Sequence, residues 1–214
     1  MDEKQKIATT IYRPDGQPRA IFQISHGMAE HRLRYAEFAQ NLAKLGFVVV
    51  TSDHRGHGGS AASPEELGYF NKHKGWQKCV NDLYELMIQV KQEYPDVPVI
   101  LFGHSMGSIM ARSFVKRYDA LLNGLILCGA PNYNPAASAG RVMAKTIMAL
   151  KGDHYRSKLL DQLVQGSFNK QIPNPRTPLD WLSKNPDNVD AYIADPLCGF
   201  RFTASAFDDM FYGI

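Results

Sequence analysis

Five consecutive residues, Gly103-His104-Ser105-Met106-Gly107, have the types and order from which an activated hydroxyl can be built. A serine flanked at one remove by glycines, after an apolar run at 97–102 and before a helical pattern reaching about residue 118, fits a sharp strand-to-helix turn. Such a turn pushes the hydroxyl out at the helix N-terminus, where backbone N–H groups and the helix dipole favour a developing anion. Side chains at positions 103 and 107 would collide with the neighbouring strand and helix, which accounts for glycine at both. The chemistry implied is acyl transfer, with Ser105 as nucleophile. Its anion needs one N–H from the residue after the nucleophile, Met106, and one from the loop after an earlier strand. The loop His26-Gly27-Met28 offers the second through Met28.

The elements that must hold these groups follow from the hydrophobic pattern. Residues 20–25 and 47–50 and the runs 97–102 and 124–128 are apolar strand candidates. Between them, 31–45 carries Tyr35, Phe38, Ala39 and Leu42 at helical spacing, and 76–94 repeats apolar residues until Pro95. Continuous apolar strands alternating with amphipathic helices argue for an α/β fold with a parallel sheet covered on both faces. After Pro131 the texture changes to small residues, methionines, aromatics and prolines. Short helices are expected near 138–150, 156–166, 187–193 and 204–213, with no strand. The expected division is a core over 1–131 and a helical cap with its exit helix over 132–214, the cap lying over the sheet edge where ligands bind in such folds.

Composition removes other classes. The 214 residues are 44% hydrophobic and 21% charged with a net charge of +3, a globular balance whose small basic excess is spread along the chain and makes no case for nucleic acid. No apolar run approaches a membrane span, and the start MDEKQKIATT has no apolar core of a leader. Three scattered cysteines, Cys79, Cys128 and Cys198, suit free thiols in a reducing cytoplasmic setting. The glycines at 56, 58 and 59 lack the spacing of a nucleotide loop. Nor do His26, His31, His54 and His57 follow a metal-binding pattern, so neither a metal nor a cofactor is expected.

Three blocks, His26-Gly27-Met28-Ala29-Glu30-His31, 53–60 (DHRGHGGS) and 103–108 (GHSMGS), stand in an order and spacing that resemble the α/β-hydrolases of the monoacylglycerol lipase and lysophospholipase group, also labelled serine aminopeptidase-like. The stretch 195–200 (DPLCGF) is similar to the end of the cap in bacterial lysophospholipase-like members. The resemblance implies an α/β-hydrolase fold with a helical cap, Ser105 as nucleophile, and Met28 and Met106 as oxyanion donors. It also implies that Glu30, Arg34 and His104 lie around a polar head-group pocket. The spacing of Glu30 and Arg34 equally allows an ion pair within one helical turn.

In this fold the acid and the histidine follow the serine in sequence. The only later histidine is His154, directly after Asp153 in the cap region, so the last core strands with acid and base are expected to be missing from this chain. The expected substrate is a small single-chain lipid ester, with Met143, Met148, Phe168, Trp181, Tyr192, Phe200 and Phe202 available either to an acyl channel or to packing, and with the cap available for peripheral membrane contact. Two alternatives stand beside it: an aminopeptidase for proline or small N-terminal residues, in which Glu30 would hold the amine, and a catalytically silent binding module.

Overall fold

The computed structural model describes residues 5–214; the first four residues of the segment read above for a leader lie outside the described residues. Five strands form one sheet: β1 (Thr9–Tyr12), β2 (Ala20–Ser25), β3 (Phe47–Ser52), β4 (Val99–His104) and β5 (Gly124–Cys128), in the order β1-β3-β2-β4-β5. All pairings are parallel except β1 with β3. β2, the centre of the sheet, is buried at all six positions, which is why it reads as continuous AIFQIS rather than as an alternating pattern. Its register opposite β4 sets Ser25 beside Gly103, so the chain leaves both strands side by side at one edge.

Helices cover the two faces. α1 (Ala36–Lys44) packs Ala39 against Phe22, Ile24 and Val49 on one side. On the other, α2 (Gly75–Glu93) and α3 (Met106–Tyr118) enclose Ile21, Val48, Val50, Val99 and Leu101. The alternation of Ile21 with Phe22, and of Leu101 with Phe102, between these two clusters is the strand period at work. Beyond β5 the chain is helical: α4 (Ala137–Lys151), α5 (Lys158–Gln165), α6 (Pro186–Ala194) and α7 (Ala204–Gly213). Phe207 and Met210 of α7 lie in the same core cluster as α2 and α3. Among the described residues no helix is long and apolar enough to cross a membrane.

The structure departs from the sequence reading in four places. β1, four residues with no apolar alternation, was not expected; its antiparallel pairing to β3 supplies what its own side chains do not. The helix expected at 31–45 begins as a 3-10 turn over Arg32–Tyr35, and α1 proper starts at Ala36. The strand expected at 97–102 runs over Val99–His104, because Pro98 cannot donate to the ladder. Finally, the sheet is not covered throughout: Leu125, Ile126 and Leu127 of β5 are each more than a third exposed.

Under the carboxyl edge three histidines are folded inward, all buried. His26 and His54 pack with tilted rings whose centroids are 4.2 Å apart, and His57 lies 5.0 Å from His26 against Phe200 and Phe202. Backbone groups fix their protons: Nε2 of His26 accepts the His54 N–H, leaving Nδ1–H to donate to the Gly27 carbonyl. Nε2 of His57 accepts the Ala29 N–H, and its Nδ1–H donates to the Arg55 carbonyl. Burial, aided by repulsion from His57 at His26 and from both others at His54, holds all three below the ordinary 6.5, with His57 at about 4.

A buried neutral histidine binds its proton in the unfolded chain first, so its contribution is present above pH 6.5 and is lost as pH falls towards the folded value. Urea unfolding at pH 7.5, 6 and 5 should show stability falling below pH 6.5 by up to about 1.4 kcal/mol per pH unit for each such histidine. A flat profile over that range would contradict the neutral assignment. Phe207→Ala should lower the unfolding free energy by about 3–5 kcal/mol in the same assay at pH 7.5.

Candidate active site

Ser105 stands at the junction of β4 and α3 with φ 50° and ψ −117°, a conformation that L residues other than glycine rarely hold. The strain is held by contacts on both sides. A Cβ on Gly103 would lie 2.5 Å from the Gly107 carbonyl oxygen, and one on Gly107 would lie 2.0 Å from the Ser25 carbonyl oxygen. The first turn of α3 therefore sits directly on the end of β2, and no other residue type fits at either position. The Ser105 N–H donates to the Cys128 carbonyl at 2.9 Å, tying the turn to the end of β5 as well. The Ser105 side chain is half-buried, and no hydrogen bond to it is found among the described residues.

The loop after β2 comes to meet it. A Cβ on Gly27 would touch the Ser105 Cβ at 3.4 Å and would lie 2.7 Å from Glu30 Oε1, so the loop passes beside the serine with the Glu30 carboxylate packed against it. Around Met28 the backbone is held at each neighbouring group. The Gly27 N–H donates to Glu30 Oε1 at 2.5 Å, and the Gly27 carbonyl accepts from His26 at 2.8 Å. The Ala29 N–H donates to His57 at 3.3 Å; the Ala29 carbonyl accepts both the Tyr192 hydroxyl at 2.8 Å and the Gly199 N–H at 2.9 Å. Ala29 itself has φ 53°. Within this mesh, the N–H groups of Met28 and of Met106 have no partner among the described residues.

Glu30, Arg34 and His104 are brought together. Glu30 is 3% exposed and receives, besides Gly27, the Tyr35 hydroxyl at 2.9 Å, His104 Nδ1 at 3.1 Å and Arg34 through its other oxygen. Burial alone would raise its carboxyl, but the His104 and Arg34 charges and the Gly27 N–H outweigh it and set it at about 2. The Glu30–Arg34 ion pair that the spacing allowed does form, as a buried carboxylate with partly exposed partners: Arg34 and His104 side chains are 33% and 40% exposed, and the Arg34 guanidinium lies 4.8 Å from the Tyr192 ring centre. Spacing alone gave no sign that Glu30 would be shut in; nor did it link Ala29 to Tyr192, 163 positions away.

A cavity of about 490 Å3 opens beside Ala29, bounded by Trp181, Tyr192, Phe200, Arg156 and Arg201 among others. Of the residues weighed for an acyl channel, Trp181, Tyr192 and Phe200 border it and the Phe168 ring lies tilted against Trp181, whereas Phe202 is buried in the core, against which Met143 and Met148 pack. His154 is remote in its contacts, stacked on Tyr69 at 3.9 Å and 3.8 Å from Glu66. The three clustered histidines are committed to the backbone. One other set of donors, His31, Asp195 and Cys198, converges within 4.8 Å. There His31 Nε2 bonds Asp195 directly at 2.7 Å, and burial, reinforced by Asp195, pushes the Cys198 thiol up to about 12, so the group is an internal hydrogen-bonded contact rather than a thiolate site.

Residues 16–214 match the family described as serine aminopeptidase, S33. The chain is 34% identical to a monoglyceride lipase of Rattus norvegicus over 196 residues, covering 90% of this chain and 57% of the relative. It is 30% identical to a monoacylglycerol lipase of Mycolicibacterium smegmatis over 192 residues, covering 90% and 61%. It thus spans about 60% of the length of these curated relatives. A thermostable carboxyl esterase from Bacillus coagulans superposes with a TM-score of 0.89 at 32% identity, covering 98% of this chain and 68% of that one. On the matched family, the turn at Ser105 and the sheet that carries it, this chain belongs to the serine aminopeptidase S33 family of α/β-hydrolases.

Proposed function

We propose that this chain carries the nucleophile and oxyanion hole of a serine carboxylester hydrolase acting on single-chain lipid esters of the monoacylglycerol or lysophospholipid type. The observation that carries the reading is the strained backbone of Ser105, φ 50° at the end of a parallel strand, with two unpartnered N–H groups on the residues flanking the site. In this reading Ser105 Oγ attacks the ester carbonyl and the Met28 and Met106 N–H groups take up the charge on its oxygen. The alcohol leaves, and water then releases the acid from the acyl-serine. The Ser105 proton passes to a general base held by an orienting acid, and no hydrogen bond from such a base to the Ser105 side chain is found among the described residues.

The enclosure of Glu30 favours an ester over a peptide with a free amine. Its Oε1 faces three protein donors, its Oε2 accepts from Arg34, and at 3% exposure the carboxylate is shielded from a substrate ammonium. Arg34 and His104 are the exposed members of that group and are assigned to the polar head of the substrate, with Glu30 holding them from behind. Residues 132–214 are assigned as the cap, with α7 at its base in the core. Exposed Val142 and Leu150 on α4, and Leu159 and Leu163 on α5, fit the cap to a peripheral lipid contact. A reducing, cytoplasmic setting fits the unpaired Cys79, Cys128 and Cys198.

Three outcomes are expected. The 214-residue chain alone should hydrolyse a short p-nitrophenyl ester at least about 10⁴-fold more slowly than a complete serine hydrolase. Where hydrolysis is restored by a complementing segment, Ser105→Ala should abolish it together with fluorophosphonate labelling, and monoacylglycerol should be cleaved in preference to a prolyl anilide; activity surviving Ser105→Ala would sink the assignment. The chain should co-sediment with phosphatidylcholine vesicles, and Leu159→Glu combined with Leu163→Glu should release it into the supernatant.

A further inference from the structure

The geometry points to Tyr192 as a positioning residue for the reaction proposed above, acting through the Ala29 peptide to aim the Met28 N–H at the oxygen that becomes negative over Ser105. This inference rests on the assignment of Met28 as an oxyanion donor. Ala29 is held at φ 53°, a backbone state an alanine leaves unless its surroundings fix it. Two groups from the far end of the chain fix it: the Tyr192 hydroxyl at 2.8 Å and the Gly199 N–H at 2.9 Å share its carbonyl oxygen. His57 holds the N–H of the same residue at 3.3 Å from the opposite direction. Rotation of the Ala29 peptides is therefore opposed at both ends, and the Met28 peptide immediately before it has its direction set by that restraint and by the Gly27 bonds to Glu30 and His26.

Tyr192 is itself well placed to be a fixed point rather than a mobile contact. It is 7% exposed, on α6, with its ring under the Arg34 guanidinium at 4.8 Å. Three residues further on, Asp195 bonds His31 at 2.7 Å, so the segment 192–199 grips the loop 29–34 at Ala29, His31 and Arg34. An oxyanion donor on a loop is effective only when its direction is set before the charge develops. Here that direction is set by the helical region across the cavity. The same docking that covers the site therefore also completes it, and a cap lifted off the loop leaves Ala29 free to relax and Met28 misaimed.

The experiment compares wild type, Tyr192→Phe and Tyr192→Ala in the protein complemented to ester-hydrolysing activity, with Ser105→Ala as the control on the underlying reading. Tyr192→Phe keeps the ring and its contact with Arg34 but removes the donor. It should lower kcat by about 10- to 100-fold, between a small misplacement and complete loss of one donor. KM should change less than about twofold on the same grounds, since uniform binding is untouched. Amide hydrogen exchange on the 214-residue chain, which needs no catalysis, should show faster exchange within 27–31 for Tyr192→Phe at unchanged melting temperature. A rise in KM at constant kcat would make Tyr192 a substrate contact and overturn the proposal. So would wild-type exchange, or faster exchange at wild-type kcat. If Ser105→Ala retains hydrolysis, the nucleophile assignment fails, and the positioning role proposed for Tyr192 falls with it; the exchange result then reports only whether Tyr192 restrains the loop.

Discussion

The contact on which the molecule turns is the seating of the first turn of α3 on the carbonyl oxygens that end β2. Gly107 is so close to the Ser25 and His26 carbonyls that even a methyl group has no place there. That closeness forces the chain between β4 and α3 through the left-handed turn at Ser105, and it puts the Ser105 side chain opposite the loop that leaves β2. Because β2 and β4 are neighbours in register at Ser25 and Gly103, the two loops cannot avoid each other. Strand order, register and the two glycines are thus one constraint seen at three scales. The cost of an unfavourable backbone state, of order 1–3 kcal/mol, is small against the burial of the strands it joins.

Electrostatics in the site follow the same logic of enclosure with full pairing. A carboxylate as buried as Glu30 would ordinarily be driven towards neutrality, yet four donors converge on it and the balance falls on the charged side. His26 and His57 go the other way: backbone donors and acceptors occupy their ring nitrogens, and burial wins and keeps them neutral. Within one loop cluster, charge and neutrality are both imposed by what reaches each side chain. The outcome is a rigid frame in which little besides the Ser105 hydroxyl and two N–H groups is left to react.

Much of this was legible in the order of residues, and the reasons are local. The glycines at 103 and 107 that frame Ser105 are fixed by contacts with backbone that exclude other residue types, so sequence records them. The buried strands and α2 are recorded because one hydrophobic period suffices to place them. β1 was not, since its four residues are half-buried and owe their form to β3. The burial of Glu30 was hidden because its partners lie on three separate elements, and the grip of Tyr192 on Ala29 was hidden because nothing in a sequence ties positions 163 apart. Such long-range hydrogen bonds carry no spacing signature; they exist only once the helices after β5 have folded back.

The exposed strip of β5 bears on how the material behaves rather than on what it catalyses. Leu125, Ile126 and Leu127 lie on an edge strand, next to backbone groups with no neighbour on their outer side among the described residues. Apolar side chains beside an open ladder make a template onto which another extended segment can add. The colloidal state of these residues in solution is thereby coupled to concentration, because any strand that adds to that edge takes up its open donors and acceptors and covers its leucines.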